Sequence, residues 1–164
     1  MGTPPTFTGA VAQTDLLWWQ QSRPLAYIYQ TVAQASVPSS TWTAVSLDTE
    51  LVDRDGGHSG TTGQYTVGLT YGWYWVSAVV AFDNTGGTSR GAQIVLNGTP
   101  VPGGVISIPM AAPGTVAIPP VLVHSTSSGD YIELQCYQDS GSAINLLVSG
   151  GECSALSVEY AGTS

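Results

Sequence analysis

Asp53, Asp55 and His58, with Glu50 just upstream, are side chains of the types that hold metal ions or move protons. A calcium loop of the EF-hand type needs glycine at its sixth position and glutamate at its twelfth. Counted from Asp53 those positions hold His58 and Gln64, so the pattern fails. Two readings remain: a looser calcium site, or a solvated turn between strands in which Asp and Gly serve the turn itself. Nucleophilic catalysis has less support. Ser59 adjoins His58, but adjacent residues of a strand point to opposite sides, and Gly-x-Ser-x-Gly occurs nowhere in the chain. His124 stands in an apolar run and reads as a hydrogen-bonded sheet residue. A glycosidase-type pair needs only two carboxyl groups about 5–9.5 Å apart in the fold, which sequence leaves open. Cys136 and Cys153 could bridge neighbouring strands or stay reduced and partly buried, and the second reading suits a reducing compartment. No catalytic residue and no cofactor is assigned.

The stronger signal is apolar. Two tryptophan pairs, Trp18-Trp19 and Trp73-Trp75, sit in a chain of 164 residues that is only 9% charged and has a formal net charge of −8. Lysine is absent, and Arg23, Arg54 and Arg90 are the only side chains with a permanent positive charge. Such a balance repels phosphate backbones and anionic head groups, so binding to nucleic acid or to a membrane surface is excluded. The strongly apolar stretch from Trp73 to Phe82 falls short of the roughly 18 residues of a spanning helix, and the first residues lack a basic start and an apolar secretory core. The expectation is a soluble protein made in the cytoplasm. Hydrophobic residues at 43% exclude disorder of the whole chain, and a Ser/Thr/Gly-rich exterior with few charges suits a protein packed in an assembly.

These side chains must be positioned by strands. Only Asp15–Ser22 has a helical pattern, capped by Thr14 or Asp15 and stopped by Pro24, and residues 2–9 read as an extended arm. From Leu25 onward, short β-rich runs alternate with Gly, Asn, Pro and Ser clusters. Strands are expected at 26–34, 41–48, 64–68, 72–82, 92–96, 105–109, 116–124, 130–138 and 154–160, with 144–148 as an extra short one. Asn97-Gly98 predicts a tight hairpin. In 130–138, Ile132, Leu134 and Cys136 share a core face while Tyr131, Glu133, Gln135 and Tyr137 share a wetter one. Ala92, Ile94 and Leu96 repeat the pattern.

The 72–82 strand breaks it. Tyr74, Val76, Ala78, Val80 and Phe82 form one apolar face, and Trp73, Trp75, Val79 and Ala81 make the other nearly as apolar. A two-layer sandwich covers one side of each sheet, so the second side needs a loop, the N-terminal arm or another copy of the chain. Fully burying one indole gives about 4–6 kcal/mol gross. Two approach the association cost of about 4–15 kcal/mol. Self-association through Trp73, Trp75 and Val79 is one expectation; the other is that the indoles cap the sandwich edge within one subunit.

The run Gly72-Trp73-Tyr74-Trp75-Val76-Ser77-Ala78, the Asn97-Gly98 turn, Gly129-Asp130-Tyr131-Ile132-Glu133-Leu134 and the closing Ser154-Ala155-Leu156-Ser157-Val158 resemble, in order and spacing, the jelly roll of tumour necrosis factor and the complement-q globular head. The resemblance spans roughly residues 25–161. It implies a ten-stranded jelly roll that trimerises through one sheet and its aromatic residues. A narrower resemblance is to the small versions of this domain in tailed bacteriophages. It is carried by Trp42-Thr43-Ala44-Val45, by Asp53-Arg54-Asp55-Gly56-Gly57-His58, one residue longer than that pattern between Asp55 and His58, and by Gly72-Trp73-Tyr74. The arm from Thr3 to Gly9 and the following Leu/Trp helix are similar to the opening of phage virion proteins.

The resemblance therefore implies an all-β jelly-roll sandwich of about ten strands over residues 25–164, preceded by an arm and anchoring helix in residues 1–24. The implied role is non-enzymatic: a homotrimeric virion component, most simply a capsid decoration (minor capsid) protein. In it, Phe7, Leu16, Leu17, Trp18 and Trp19 would attach to other capsid or tail proteins. The alternative is a minor tail or tail-tip protein whose Tyr and Trp rings stack on a host-surface glycan or receptor.

Overall fold

The computed structural model describes residues 23–83, 86–109 and 114–163. Asp15–Ser22, the arm and the attachment residues Phe7, Leu16, Leu17, Trp18 and Trp19 lie outside the described residues. Eleven strands run in the order β1 (Leu25–Tyr29), β2 (Thr43–Ala44), β3 (Thr49–Asp53), β4 (His58–Ser59), β5 (Gln64–Thr66), β6 (Gly72–Ala81), β7 (Ser89–Leu96), β8 (Thr99–Pro109), β9 (Thr115–Ser125), β10 (Tyr131–Gln138) and β11 (Ala155–Gly162). One sheet has the order β3-β1-β11-β6-β9 and the other β4-β5-β10-β7-β8, with β2 beside β10. All the pairings are antiparallel. The sandwich closes on a core that includes Ile28, Leu47, Tyr65, Tyr74, Phe82, Ile94, Leu134 and Leu156.

The architecture is the expected jelly roll, with departures that have local causes. The 26–34 strand stops at Tyr29, because Asp48 folds the next residues back: its carboxylate accepts the Thr31 and Val32 backbone N–H groups at 3.0–3.1 Å. Of the 41–48 run only Thr43–Ala44 is strand, as β2 on one sheet, and β3 begins after the run at Thr49 on the other sheet. Residues 144–148 form no strand; Ile144 and Leu146 make isolated bridges to Val37 and Phe82. The Asn97-Gly98 hairpin forms between β7 and β8, with φ of 50° and 77° as a type I′ turn requires. Prolines mark the open edges. Pro119 and Pro120 fall in edge strand β9, at the bulge where its register with β6 shifts, and Pro100, Pro102 and Pro109 fall in edge strand β8.

Several carboxylates serve as loop anchors, which accounts for part of the acidic excess. The Asp130 carboxylate accepts from the Ser125 hydroxyl, the Thr126 and Ser127 backbone N–H groups and the Asn97 amide. Asp139 accepts from Thr88 and Ser89 in the same way. Burial works to raise the pKa of Asp48 and Asp130. It is outweighed by hydroxyl, amide and backbone donors, so both lie below the ordinary carboxylate value. Depressed carboxylates stabilise the fold above their unfolded pKa of about 3.9, and that contribution disappears as pH falls through the lower folded values. Thermal melts should therefore lose stability below about pH 4. Asp130→Asn should flatten that loss, while a melting temperature unchanged from neutral pH to pH 2 would contradict the anchoring role.

One cation lies inside. Arg90 is 2% exposed. Its guanidinium donates to the Ser89 and Gly86 carbonyls at 2.9 and 2.7 Å, stands over the Phe82 ring at 5.5 Å and comes within 3.8 Å of Asp139. Burial lowers its pKa, and Asp139 opposes that shift.

Candidate functional site

The two-sided strand is β6, and its partners define what each side meets. Tyr74, Val76, Ala78 and Val80 are buried against the other sheet. Trp73 and Trp75 point outward and remain 38% and 44% exposed. Among the described residues, none covers the open part of either indole. Cross-strand register builds the face in rows: Leu25, Glu159, Trp75 and Leu122; then Tyr27, Ser157 and Ser77; then Tyr29, Ala155, Val79 and Ala117. Small residues at the centre leave a hollow of about 180 Å³ bounded by Tyr27, Ser77, Val79, Ala155 and Ser157. Arg23 pairs with Glu159 at one margin, placing the first described residue beside the aromatic rows. Val79 lies on this face with the two indoles, so the three residues expected to act together do share one surface.

Partial burial revises the energetics. At about 40% exposure each indole has about 100 Å² left to bury, or about 2.5 kcal/mol. Two indoles alone therefore reach only the low end of the association cost. Tyr27 and Leu122, 39% and 43% exposed, extend the patch.

Trp73 also stacks on His124, with ring centroids 4.3 Å apart and planes at 16°. The expected hydrogen bonding of His124 is only partly a fact: its Nε2 is buried without a partner, and ring stacking holds the side chain instead. Beyond the stack, Trp73, Leu122 and His124 border a cavity of about 600 Å³ whose far wall is Pro100, Val101 and Pro102 of β8.

The Asp53 loop is built for structure. Asp53 accepts from the backbone N–H groups of Gly56, Gly57 and His58 at 2.9–3.2 Å, the turn role expected of it. His58 faces the Glu50 carboxylate through Nδ1 at 2.7 Å and the Leu47 carbonyl through Nε2 at 2.9 Å. Both ring nitrogens are thus engaged, and neither is placed to take a proton from Ser59. Asp55 turns elsewhere and accepts the Tyr65 hydroxyl at 2.7 Å. The three candidates diverge, and no group of three His, Cys, Asp or Glu side chains among the described residues is arranged to hold a metal ion.

Asp55 is the anomaly in that loop. Its Oδ1 is buried with no partner. Burial first, and the nearby Asp53 charge, raise its pKa against the Tyr65 hydrogen bond. Burial and Asp55 in turn push Tyr65 and Tyr74 well above the ordinary phenol value. A raised carboxylate gives stability below its unfolded pKa that is lost as pH rises through the folded value. Asp55→Asn should therefore raise the melting temperature at pH 7 and change it little at pH 3. An equal shift at both would show that charge is not the cause.

Both cysteines are free. Cys136 is buried on the core face of β10, where burial pushes its thiol up to about 12, and Cys153 is partly exposed. No helix among the described residues is long and apolar enough to cross a membrane.

No family model and no curated protein matches the sequence. Solved structures do resemble the fold. The globular domain of zebrafish complement 1qA superposes with a TM-score of 0.57 at 10% identity, covering 87% of this chain and all of that one. Murine APRIL at pH 5.0 gives 0.60 at 14% identity, covering 84% of this chain and 99% of that one. The chain therefore has the jelly-roll fold of tumour necrosis factor and complement-q heads.

Proposed function

We propose that this chain is a non-enzymatic structural protein of a bacteriophage particle: a homotrimeric knob, displayed on the capsid as a decoration protein. The observation that carries the reading is the outward face of β6, with Trp73, Trp75 and Val79 on a rigid sheet beside Tyr27 and Leu122. A threefold ring joins two different surfaces of each copy. The second surface is supplied by the β8/β9 edge, where Val105 and Ile108 are also exposed. Proline in both edge strands favours contact through side chains over strand addition. The fold likeness to complement 1qA and APRIL supports the scaffold, and the phage pattern around Trp42 and Asp53 supports the setting. Attachment to capsid or tail partners is assigned to Phe7, Leu16, Leu17, Trp18 and Trp19. Light scattering on the purified chain should give three times the chain mass. Quantitative mass spectrometry of purified particles should then find tens to hundreds of copies, whereas a handful would place it in the tail and absence would end the virion reading.

A second reading, a glycan- or receptor-recognising tail module, is favoured by one observation: Trp42 forms a separate exposed aromatic surface on the other sheet, remote from the indoles assigned to assembly.

A further inference from the structure

On the outward face of the six-stranded sheet, Trp42 is 36% exposed and packs against Tyr137 at 5.3 Å. It reaches over β7 at Gly91, where a Cβ would stand 3.0 Å from Trp42 Cη2 and 3.3 Å from Tyr137 Cβ. Glycine at this place is what lets the indole settle on the sheet. Next to this platform runs a ladder of hydrogen-bonded side chains. Gln93 donates to Gln135 at 2.6 Å, Gln135 donates to one Glu133 oxygen at 2.7 Å, and Gln64 donates to the other at 2.7 Å. Gln135 and Tyr137 stand two residues apart on β10, about 7 Å along the strand and on the same face.

We propose that this face binds a neutral oligosaccharide, with one sugar ring stacked on Trp42 and its hydroxyls bonded to Gln135 and Gln64. Three features select that ligand. The ladder sits on paired strands and its members hold one another, so the polar groups are oriented before anything binds. They also keep capacity to spare: Gln135 retains an N–H, and Gln64 an N–H and its carbonyl oxygen. Charge decides the rest. Arg23 pairs with Glu159 on the other sheet and Arg90 is buried, so neither guanidinium is offered to an anion on this face. The Glu133 charge repels anions, and an apolar protein surface laid over the ladder would strand the spare N–H groups of Gln64 and Gln135.

The inference deepens the recognition reading and requires neither the trimer nor the particle. In a trimer the three copies of the face would bind with avidity. The test uses saturation-transfer NMR and tryptophan emission on the full chain. The probes are cellohexaose, chitohexaose and maltohexaose, with a hyaluronan hexasaccharide as the anionic comparison. The expected result is millimolar or tighter binding of at least one neutral hexasaccharide and none of hyaluronan. Affinity should fall at least tenfold in Trp42→Ala and Gln135→Ala, and also in Gly91→Ala, which lifts the indole. Gln135→Ala leaves the Trp42 platform on Gly91 and Tyr137 in place, so it keeps the test valid even where loss of Trp42 unsettles the fold. Binding that survives both Trp42→Ala and Gln135→Ala overturns this site while leaving glycan recognition intact. Failure of every neutral probe to bind overturns the site, and a preference for hyaluronan overturns it while leaving glycan recognition in place.

Discussion

Trp75→Asp should convert a particle of threefold chain mass into a monomer that keeps its β-rich circular dichroism. The inner face of β6 is untouched by the change, since Tyr74, Val76, Ala78 and Val80 are the side chains that face the core. The outer row is not: an aspartate at position 75 would lie beside Glu159 and opposite Leu122. Each of three interfaces would lose about 2 kcal/mol of apolar burial. Together that is about four powers of ten in the trimer dissociation constant. Sedimentation velocity across a dilution series reads the effect directly. Thr66→Asp, an exposed change on the other sheet, should leave the mass threefold. A Trp75→Asp chain that sediments as the wild type would remove the five-stranded sheet from the interface.

Arg90→Ala should be the most damaging single truncation outside the apolar core, at about 3 kcal/mol. For a chain of 164 residues that is a fall of about 6–12 °C in melting temperature. The guanidinium fills space over Phe82 and ties two carbonyls that close the turn before β7. Arg90→Lys should recover little, because a point-like ammonium cannot reproduce the planar fork. Asp139→Asn should cost less than either, since its 3.8 Å charge contact with Arg90 is loose and an amide oxygen at 139 can still accept from Thr88 and Ser89. Calorimetry on the three variants tests the ranking, and equal losses for Arg90→Ala and Asp139→Asn would show that the ion pair rather than the packing matters.

Most of the scaffold was legible where the chain speaks locally. Alternation in 130–138 named the core face of β10 correctly, and Asn97-Gly98 named its hairpin, because residue spacing and turn dihedrals are properties of adjacent positions. The two-sided apolarity of β6 likewise announced an outward aromatic face before any partner strand was known. What escaped depends on distant pairings. Gln93 and Val95 lie on the outward face of β7 yet are buried, because β7 is an inner strand flanked by the long side chains of β8 and β10. Trp42 gave no sign of its platform, for the glycine beneath it is 49 residues later in the chain. His124 was read as a hydrogen-bonded residue because nothing in its neighbourhood of sequence discloses the indole stacked on it. The Asp53 loop read from sequence either as a looser calcium site or as a solvated turn, and only the direction of each side chain shows the separate structural tasks of Asp53, Asp55 and His58.

The prolines of β8 and β9 matter most when many copies are crowded together. Crowded β-sandwiches collide rim first, and a rim of open backbone invites strand pairing between copies. Here the β8 and β9 rims are interrupted by residues with no amide hydrogen to give, so contacts made along them run through side chains and not through added strands.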